Sequence, residues 1–285
     1  MRKTTKAKLQ CFIRDSQTGR VEVVRAEGIN NFFPRHSHHS YCLGLVEQGC
    51  RVVLHKETAT HIPKGSLFII HPKQSHACRS PQAEMHSYSV LCLPKDYMTG
   101  LANRAGLSRG QTLDFSGIRL DDEYLASAFH RLLDNISKGV SSSRLDAGIN
   151  KLASHLLIRH AQPVRIEQPA NVSPYGPVMK ARLFLESRFD QPIELGALSR
   201  AVGLSQFHLQ RRFLKSMGCS PKEYLLHHRI RVARQLLLKG LPFSQVALET
   251  GFYDQGHFTN RFKTVMGVTP GRFSLDNRAA IETEP

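Results

Sequence analysis

Three histidines hold the clearest capacity for chemistry in the first half of this 285-residue sequence. His36 and His38 flank a single residue, so on an extended strand both imidazoles leave the same face. Joined by His76, they make a set of nitrogen donors of the kind that binds a transition metal. The same residues equally suit a small-molecule pocket without metal, or plain hydrogen bonding in the mouth of a barrel. His39, His71 and His86 read as surface or structural residues. Cys11, Cys42, Cys50, Cys78, Cys92 and Cys219 are scattered without a C-x-x-C pair, which reads as reduced thiols. There is no P-loop, G-x-S-x-G, H-E-x-x-H or Rossmann glycine set.

A different chemistry, recognition of a DNA groove, occupies residues 195–273. In LGALSRAVGLSQFHLQRRF, Leu198, Ala201 and Val202 make an apolar stripe that Gly203 breaks, where a tight turn needs left-handed backbone. Ser205 is placed as an N-cap and predicts a second helix from Gln206, with Leu209 and Phe213 inward. The second unit repeats the logic. Phe243, Val246, Ala247 and Leu248 form an apolar helix that stops at Gly251; Asp254 caps the next, and Phe258 and Phe262 point inward. Aligned on their glycines, Gly203, Leu209, Arg212 and Phe213 fall near Gly251, Phe258, Arg261 and Phe262. Two short helices at a sharp angle, the second polar and basic, fit a major groove. One such pattern occurs in ordinary cores; two in register point to a tandem reader.

Positioning these residues takes two architectures. Between residue 10 and about 115, the runs VEVVRA, CLGLVEQ, RVVLH, SLFII and HSYSVLCL are punctuated by Gly, Pro and Ser, which predicts a sandwich or small barrel. Two amphipathic helices follow. The first carries Leu120, Tyr124, Ala128, Leu132, Leu133 and Ile136 on its inner face, the second Leu145, Ile149, Leu152, Leu156 and Leu157. Both pack on the barrel, and the first is a candidate to pair with its copy in a second chain. QPVRIEQPANVSPYG is the interdomain linker. A helix from Pro177 supports the first reader through Val178, Ala181, Leu185 and Phe189. A longer one, from Pro221 to Lys239, joins the readers with Tyr224, Leu225, Ile230, Ala233 and Leu237 as its core side. Its length of ~28 Å, at ~1.5 Å per residue, approaches the roughly 34 Å of one DNA turn, so the two recognition helices can enter successive grooves. The expected fold class is two-domain α+β: a barrel over 1–118, a helical pair over 119–161, a linker over 162–176, and an all-α tandem helix-turn-helix domain over 177–285.

Residues 177–275 resemble the DNA-binding domain of the AraC/XylS family of bacterial transcription regulators, on LSRAVGLSQFHLQRRF, GCSPKEYLLHHRIRVARQLL and QVALETGFYDQGHFTNRFKTVMGVTPGRF. HSHHSY (36–41) and IPKGSLFIIHPKQSH (62–76) are similar to the cupin-type sensor domain, a jelly-roll barrel, that precedes it in many of these regulators. The resemblance implies base reading from the outer face of each recognition helix: Gln206, Phe207, Gln210 and Arg211 in the first, with His208 and Arg212 beside them, and Gln255, Gly256, His257 and Asn260 in the second, with Arg261 and Lys263 on phosphates. Arg211 suits a guanine edge, Gln210 or Gln255 an adenine. Gly256 has no side chain and Asn260 stands where an arginine is common, so the second helix is expected to discriminate less. Arg212 and Arg261 fit an ion pair within the domain equally well. The resemblance also implies effector-binding roles for His36, His38, Tyr41 and His76. Metal-binding cupins add a glutamate five residues after the second histidine; Leu43 stands there, so no metal or other cofactor is expected beyond a small-molecule effector.

The formal net charge of +16 suits a nucleic-acid partner, yet it is spread along the chain. From residue 176 onward there are 16 Lys/Arg against 9 Asp/Glu, and before it 23 against 14. Bulk basicity therefore adds little, and the motifs carry the argument. The N-terminal MRKTTKAKLQCF lacks the apolar stretch of a secretory signal, and LFII is far too short to cross a bilayer. The expectation is a cytoplasmic, homodimeric, non-enzymatic transcription activator that binds double-stranded promoter DNA, answers to a small effector and contacts RNA polymerase. Competing readings are a metal-dependent cupin enzyme with a DNA-binding tail, and a redox sensor built on a clustered pair among Cys42, Cys50, Cys78 and Cys92.

Overall fold

Short strands of the first half build two facing sheets in the computed structural model, which describes residues 8–16, 19–30, 33–107, 112–164 and 176–277. In chain order they are β1 (Lys8–Ser16), β2 (Gly19–Ile29), β3 (Phe33–His36), β4 (Tyr41–Gln48), β5 (Cys50–His55), β6 (Thr58–Pro63), β7 (Leu67–Ile70), β8 (His76–Arg79) and β9 (His86–Leu93). Then come α1 (Lys95–Arg104), β10 (Thr112–Phe115), β11 (Arg119–Leu120), α2 (Glu123–Ser137), α3 (Ser142–His160) and β12 (Ala161–Val164). The larger sheet runs β1-β2-β9-β4-β7-β11 and the smaller β3-β8-β5-β6, while β10 and β12 pair with each other. Every pairing is antiparallel.

The central strand β4 is buried on both faces, which is why YCLGLV reads as an unbroken apolar run. Its side chains still alternate in destination. Tyr41, Leu43 and Leu45 pack with Met98 of α1, Phe129 of α2 and Leu152 of α3, whereas Cys42 and Val46 face the space between the sheets.

Several expectations shift. Residues 95–104, inside the stretch read as strands, form a helix whose Tyr97, Met98 and Ala102 are buried. Leu120 belongs to the sheet rather than to α2, and the buried face of α2 is Leu125, Phe129, Leu132 and Leu133. Tyr124 is exposed and lies beside the ring of His155. The segment expected as linker begins with a strand, since Gln162, Pro163 and Val164 pair with β10; positions 165–175 of that linker lie outside the described residues.

The second half is helical: α4 (Pro177–Ser187), α5 (Leu195–Ala201), α6 (Gln206–Met217), α7 (Pro221–Leu238), α8 (Phe243–Glu249), α9 (Gln255–Met266) and α10 (Pro270–Asp276). The local rules that predict the two readers hold. Gly203 and Gly251 take φ of 69° and 72° at the turns. The Ser205 hydroxyl accepts from the His208 N–H, and the Asp254 carboxylate from the His257 N–H. Ser220 and Glu223 close a capping box around Pro221 at the start of α7. Leu248 is the exception, being exposed on α8 while Val246 and Ala247 are buried.

The halves are joined by packing and by hydrogen bonds. Barrel residues Leu9, Ala26 and Tyr88 share one apolar core with Ile230, Phe258, Phe262 and Phe273. Asn277 pairs with the Leu9–Cys11 backbone in both directions, accepting from Cys11 N–H at 2.7 Å and donating to the Leu9 carbonyl at 3.1 Å. Arg234 of α7 pairs with Glu22 of β2.

Candidate DNA-reading face and interdomain cavity

The cap and turn residues leave the outer faces of α6 and α9 in solvent. Gln206, Phe207, His208, Gln210, Arg211 and Arg212 are all exposed, as are Gln255, Gly256, His257, Asn260, Arg261 and Lys263. Phe207 stands 68% exposed, an apolar ring in water that groove contact with a thymine methyl would bury. The ion pairs among the described residues do not include Arg212 or Arg261; the latter donates instead to His257 Nε2, one turn back, at 3.3 Å. The two recognition helices differ in their supports. Beneath α6, Leu209, Phe213 and Met217 pack with Ala181 and Leu185 of α4, while beneath α9, Phe258 and Phe262 pack in the core shared with the barrel.

Between α7 and the barrel lies a cavity of about 300 Å³. The barrel supplies Val24, Phe33, Phe68, Ile70 and Val90 as apolar wall, and α7 adds Tyr224, His227, His228, Ile230, Arg231 and Arg234. His36, His38 and His76 stand together on this wall. Register pairs His36 with His76 across β3 and β8, and the ring centroids are 4.3 Å apart for that pair, 4.9 Å for His36 and His38, and 5.2 Å for His38 and His76. His227 approaches from α7, its centroid 5.9 Å from that of His36. Burial, then the neighbouring His76 and His227, hold the His38 imidazole well below its ordinary range. Burial takes His76 down to about 4 and lowers His227 as well. These rings are therefore neutral at pH 7. His76 Nδ1 lies 2.9 Å from the Gln74 carbonyl. A carbonyl only accepts, so Nδ1 carries the proton and Nε2 keeps its lone pair.

Arg51 is the residue that sequence reading missed. Its side chain is buried between Phe33, Phe68 and Tyr88, with the guanidinium carbon 3.8 Å from the Tyr88 centroid. Nη1 donates to His86 Nε2 at 2.9 Å, which requires a neutral imidazole; burial, reinforced by Arg51, pushes that ring down to about 4. The Arg51 Nε has no hydrogen-bond partner, and among the described residues no carboxylate pairs with this charge. His86, expected to be structural, thus serves the cavity from behind, and His39 also lines it, 3.3 Å from the Tyr224 hydroxyl.

Not every expected site residue is present. Tyr41 lies on the helix-facing side of β4, where its hydroxyl donates to the Leu113 carbonyl at 3.2 Å, so it does not line the cavity. Leu43 faces the same way, for the same reason of strand parity. The residue of β4 turned toward the cavity is Cys42, whose Sγ is 3.8 Å from that of Cys92 directly opposite on β9. A hydrogen bond to Cys42 and burial push the Cys92 thiol well up. A second polar cluster, which sequence reading also missed, joins Asp122 to His155 and His160 at 2.9 and 2.7 Å. Its members come together only because α2 and α3 pack antiparallel. The Leu125 N–H and the two imidazoles hold the Asp122 carboxyl below its usual range, against the opposing effect of burial.

With this geometry in hand, the likeness to known proteins can be located along the chain. The family described as AraC-like ligand binding domain matches residues 18–154, and a helix-turn-helix domain family matches 198–275. The HTH-type transcriptional regulator YbfI of Bacillus subtilis is 30% identical over 240 residues, 83% of this chain and 85% of that protein. The fold is that of ToxT from Vibrio cholerae: one structure superposes with a TM-score of 0.55 at 14% identity, over 95% of this chain and 97% of that one. A second structure of ToxT, with an unsaturated fatty acid bound, gives 0.55 at 15% identity over 98% and 99%.

Proposed function

The chain belongs to the AraC family of helix-turn-helix transcription regulators, with an N-terminal ligand-binding domain, and from that premise we propose how its halves cooperate. In our reading the effector is a small organic anion with an apolar body, held in the cavity under α7. The observation that carries this reading is Arg51. A buried guanidinium without a counter-charge is costly, and a carboxylate from solution would supply both the charge and the partner that Nε lacks. Arg231, Arg234 and the histidines also line the cavity, where among the described residues the one acidic side chain is Glu22, itself paired with Arg234. That ToxT, a protein of this fold, has been observed with an unsaturated fatty acid bound is in keeping with such a ligand.

An effector there touches both domains, so it acts by binding one arrangement of α7 on the barrel more tightly than another. In the family setting we read the outcome as activation: cytoplasmic homodimers bind promoter DNA through the outer faces of α6 and α9 and engage RNA polymerase. No helix among the described residues is long and apolar enough to cross a membrane. Relatives that match along the chain are regulators, which supports regulation rather than catalysis. The test is a thermal-shift screen of aliphatic and aromatic carboxylates beside their amides, followed by promoter binding. Carboxylates should raise Tm and change promoter affinity in the wild type, and Arg51→Met should lose the response. Equal responses to acids and amides would sink the anion reading.

A second reading, redox sensing, draws on one observation, the opposed Cys42 and Cys92 thiols. The raised Cys92 thiol makes the reactive thiolate scarce, which weakens it. Promoter binding that answers to peroxide in the wild type and not in Cys92→Ser would restore it.

A further inference from the structure

We propose that the histidine cluster is a divalent transition-metal site tying the barrel to the DNA-binding domain, with His36, His38 and His76 from the barrel and His227 from α7 as ligands. The proposal is independent of the organic effector. Donor atoms of the three barrel histidines lie within 4.8 Å of one another. Two nitrogens on one tetrahedral ion, each at about 2.0–2.1 Å, stand roughly 3.4 Å apart, so modest ring rotations close the set. His76 already places Nδ1–H on a backbone carbonyl, as metal-bound histidines commonly do, which leaves Nε2 as its donor. The fourth donor must come from outside the barrel's own motif, because Leu43, in the place of the cupin glutamate, faces the helices. On the cavity side, α7 brings His227. Arg51 lines the same cavity and disfavours a bare dication, so an exchangeable anion such as hydroxide would join the four nitrogens as a fifth ligand on that side.

The placement has a mechanical consequence. Ser37 lies between His36 and His38, and Ser75 precedes His76. The Ser37 hydroxyl donates to the Met217 carbonyl at 2.9 Å and the Ser75 hydroxyl to the Gly218 carbonyl at 2.6 Å, both at the C-terminal end of recognition helix α6. An ion that locks the three histidines therefore also steadies the seat of α6, while His227 holds α7. Metal occupancy would bias the spacing of the two readers.

The full chain, stripped with chelator, would be titrated with Zn²⁺ by calorimetry and with Co²⁺ by visible absorption, which reports the ligand geometry directly. The expected result is one ion per chain, with saturable binding lost in His38→Ala. His227→Gln should bind about tenfold or more weakly while its metal-free Tm matches the wild type. Zn²⁺ should change promoter affinity in the wild type and leave it unchanged in His227→Gln. Absence of saturable binding in the wild type overturns the site; wild-type affinity in His227→Gln overturns the bridge between domains. Neither failure touches the carboxylate reading, since no organic ligand is present.

Discussion

The first helix-turn-helix unit packs around its own cluster of Leu198, Leu209, Phe213 and Met217, with Ala181 and Leu185 of α4. The second shares a continuous core with the barrel, one cluster that holds Val246, Phe258 and Phe262 together with barrel residues such as Val53 and Phe68. The first unit touches the barrel through polar contacts, including Ser37 and Ser75 on the last carbonyls of α6. Two readers of one plan thus stand on different supports. A ligand that alters barrel packing reaches the second through its core, and the first through α7 and a few hydrogen bonds.

The largest effects should fall on those cores. Phe213→Ala and Phe262→Ala each remove a fully buried ring, at a cost of about 3–5 kcal/mol. In urea unfolding, Phe262→Ala should lower the barrel's transition together with that of the second unit. Phe213→Ala should lower the first unit and leave the barrel's transition nearly in place. A barrel transition that ignores Phe262→Ala would dissolve the contrast.

Next come the matched turn glycines. Both have positive φ, so an alanine costs about 1–2 kcal/mol at either. A Cβ on Gly203 meets nothing within 4 Å, whereas one on Gly251 would lie 2.6 Å from the Asp190 carbonyl oxygen and 2.9 Å from Arg229 Nη2. Arg229 is itself fixed, donating from Nε to the Phe189 carbonyl at 2.7 Å and from Nη2 to that of Gln191 at 2.8 Å. Gly251→Ala should therefore exceed Gly203→Ala by a further ~1–3 kcal/mol, read as the difference in urea midpoints. Equal losses would mean that the backbone after α4 yields freely.

On DNA the contrast is one of information. Arg211→Ala should relax preference at one base pair, at about 1–3 kcal/mol. Arg261→Ala should weaken binding evenly across sequences and reduce the salt slope by about 1. Selection of bound fragments with each variant, alongside a salt titration, separates the two. Uniform weakening by Arg211→Ala would place that side chain on a phosphate.

The readers are legible in sequence because their determinants are local: a glycine at a left-handed turn, a capping side chain three residues before the amide it serves, and an inward pair at i, i+4. The cavity is much less so. His36, His38 and His76 stand out by spacing, but strand parity on a doubly buried β4 separates Tyr41 from them and turns Cys42 inward, and an unbroken apolar run carries no sign of this. Arg51 sits in RVVLH as one basic residue among apolar ones, and only the folded barrel shows that no carboxylate among the described residues pairs with it. His227, His228 and Arg231 read as the polar side of a joining helix until that helix is laid over the barrel mouth.

The smallest contrast concerns the two caps. Asp254 Oδ1 accepts from the His257 N–H at 2.7 Å, while the Ser205 hydroxyl accepts from the His208 N–H at 3.3 Å and also lies 3.1 Å from His208 Nδ1. Loss of either cap costs about 0.5–2 kcal/mol. A carboxylate at a helix N-terminus gains a further ~0.3–1 kcal/mol from the helix dipole, so Asp254→Ala should cost more than Ser205→Ala. It should also release α9 amides to faster hydrogen exchange, with α6 untouched. The carboxylate term is screened by salt and the hydroxyl term is not, so repeating both measurements at high ionic strength should narrow the gap. A gap that survives salt would assign the difference to the shorter hydrogen bond rather than to charge.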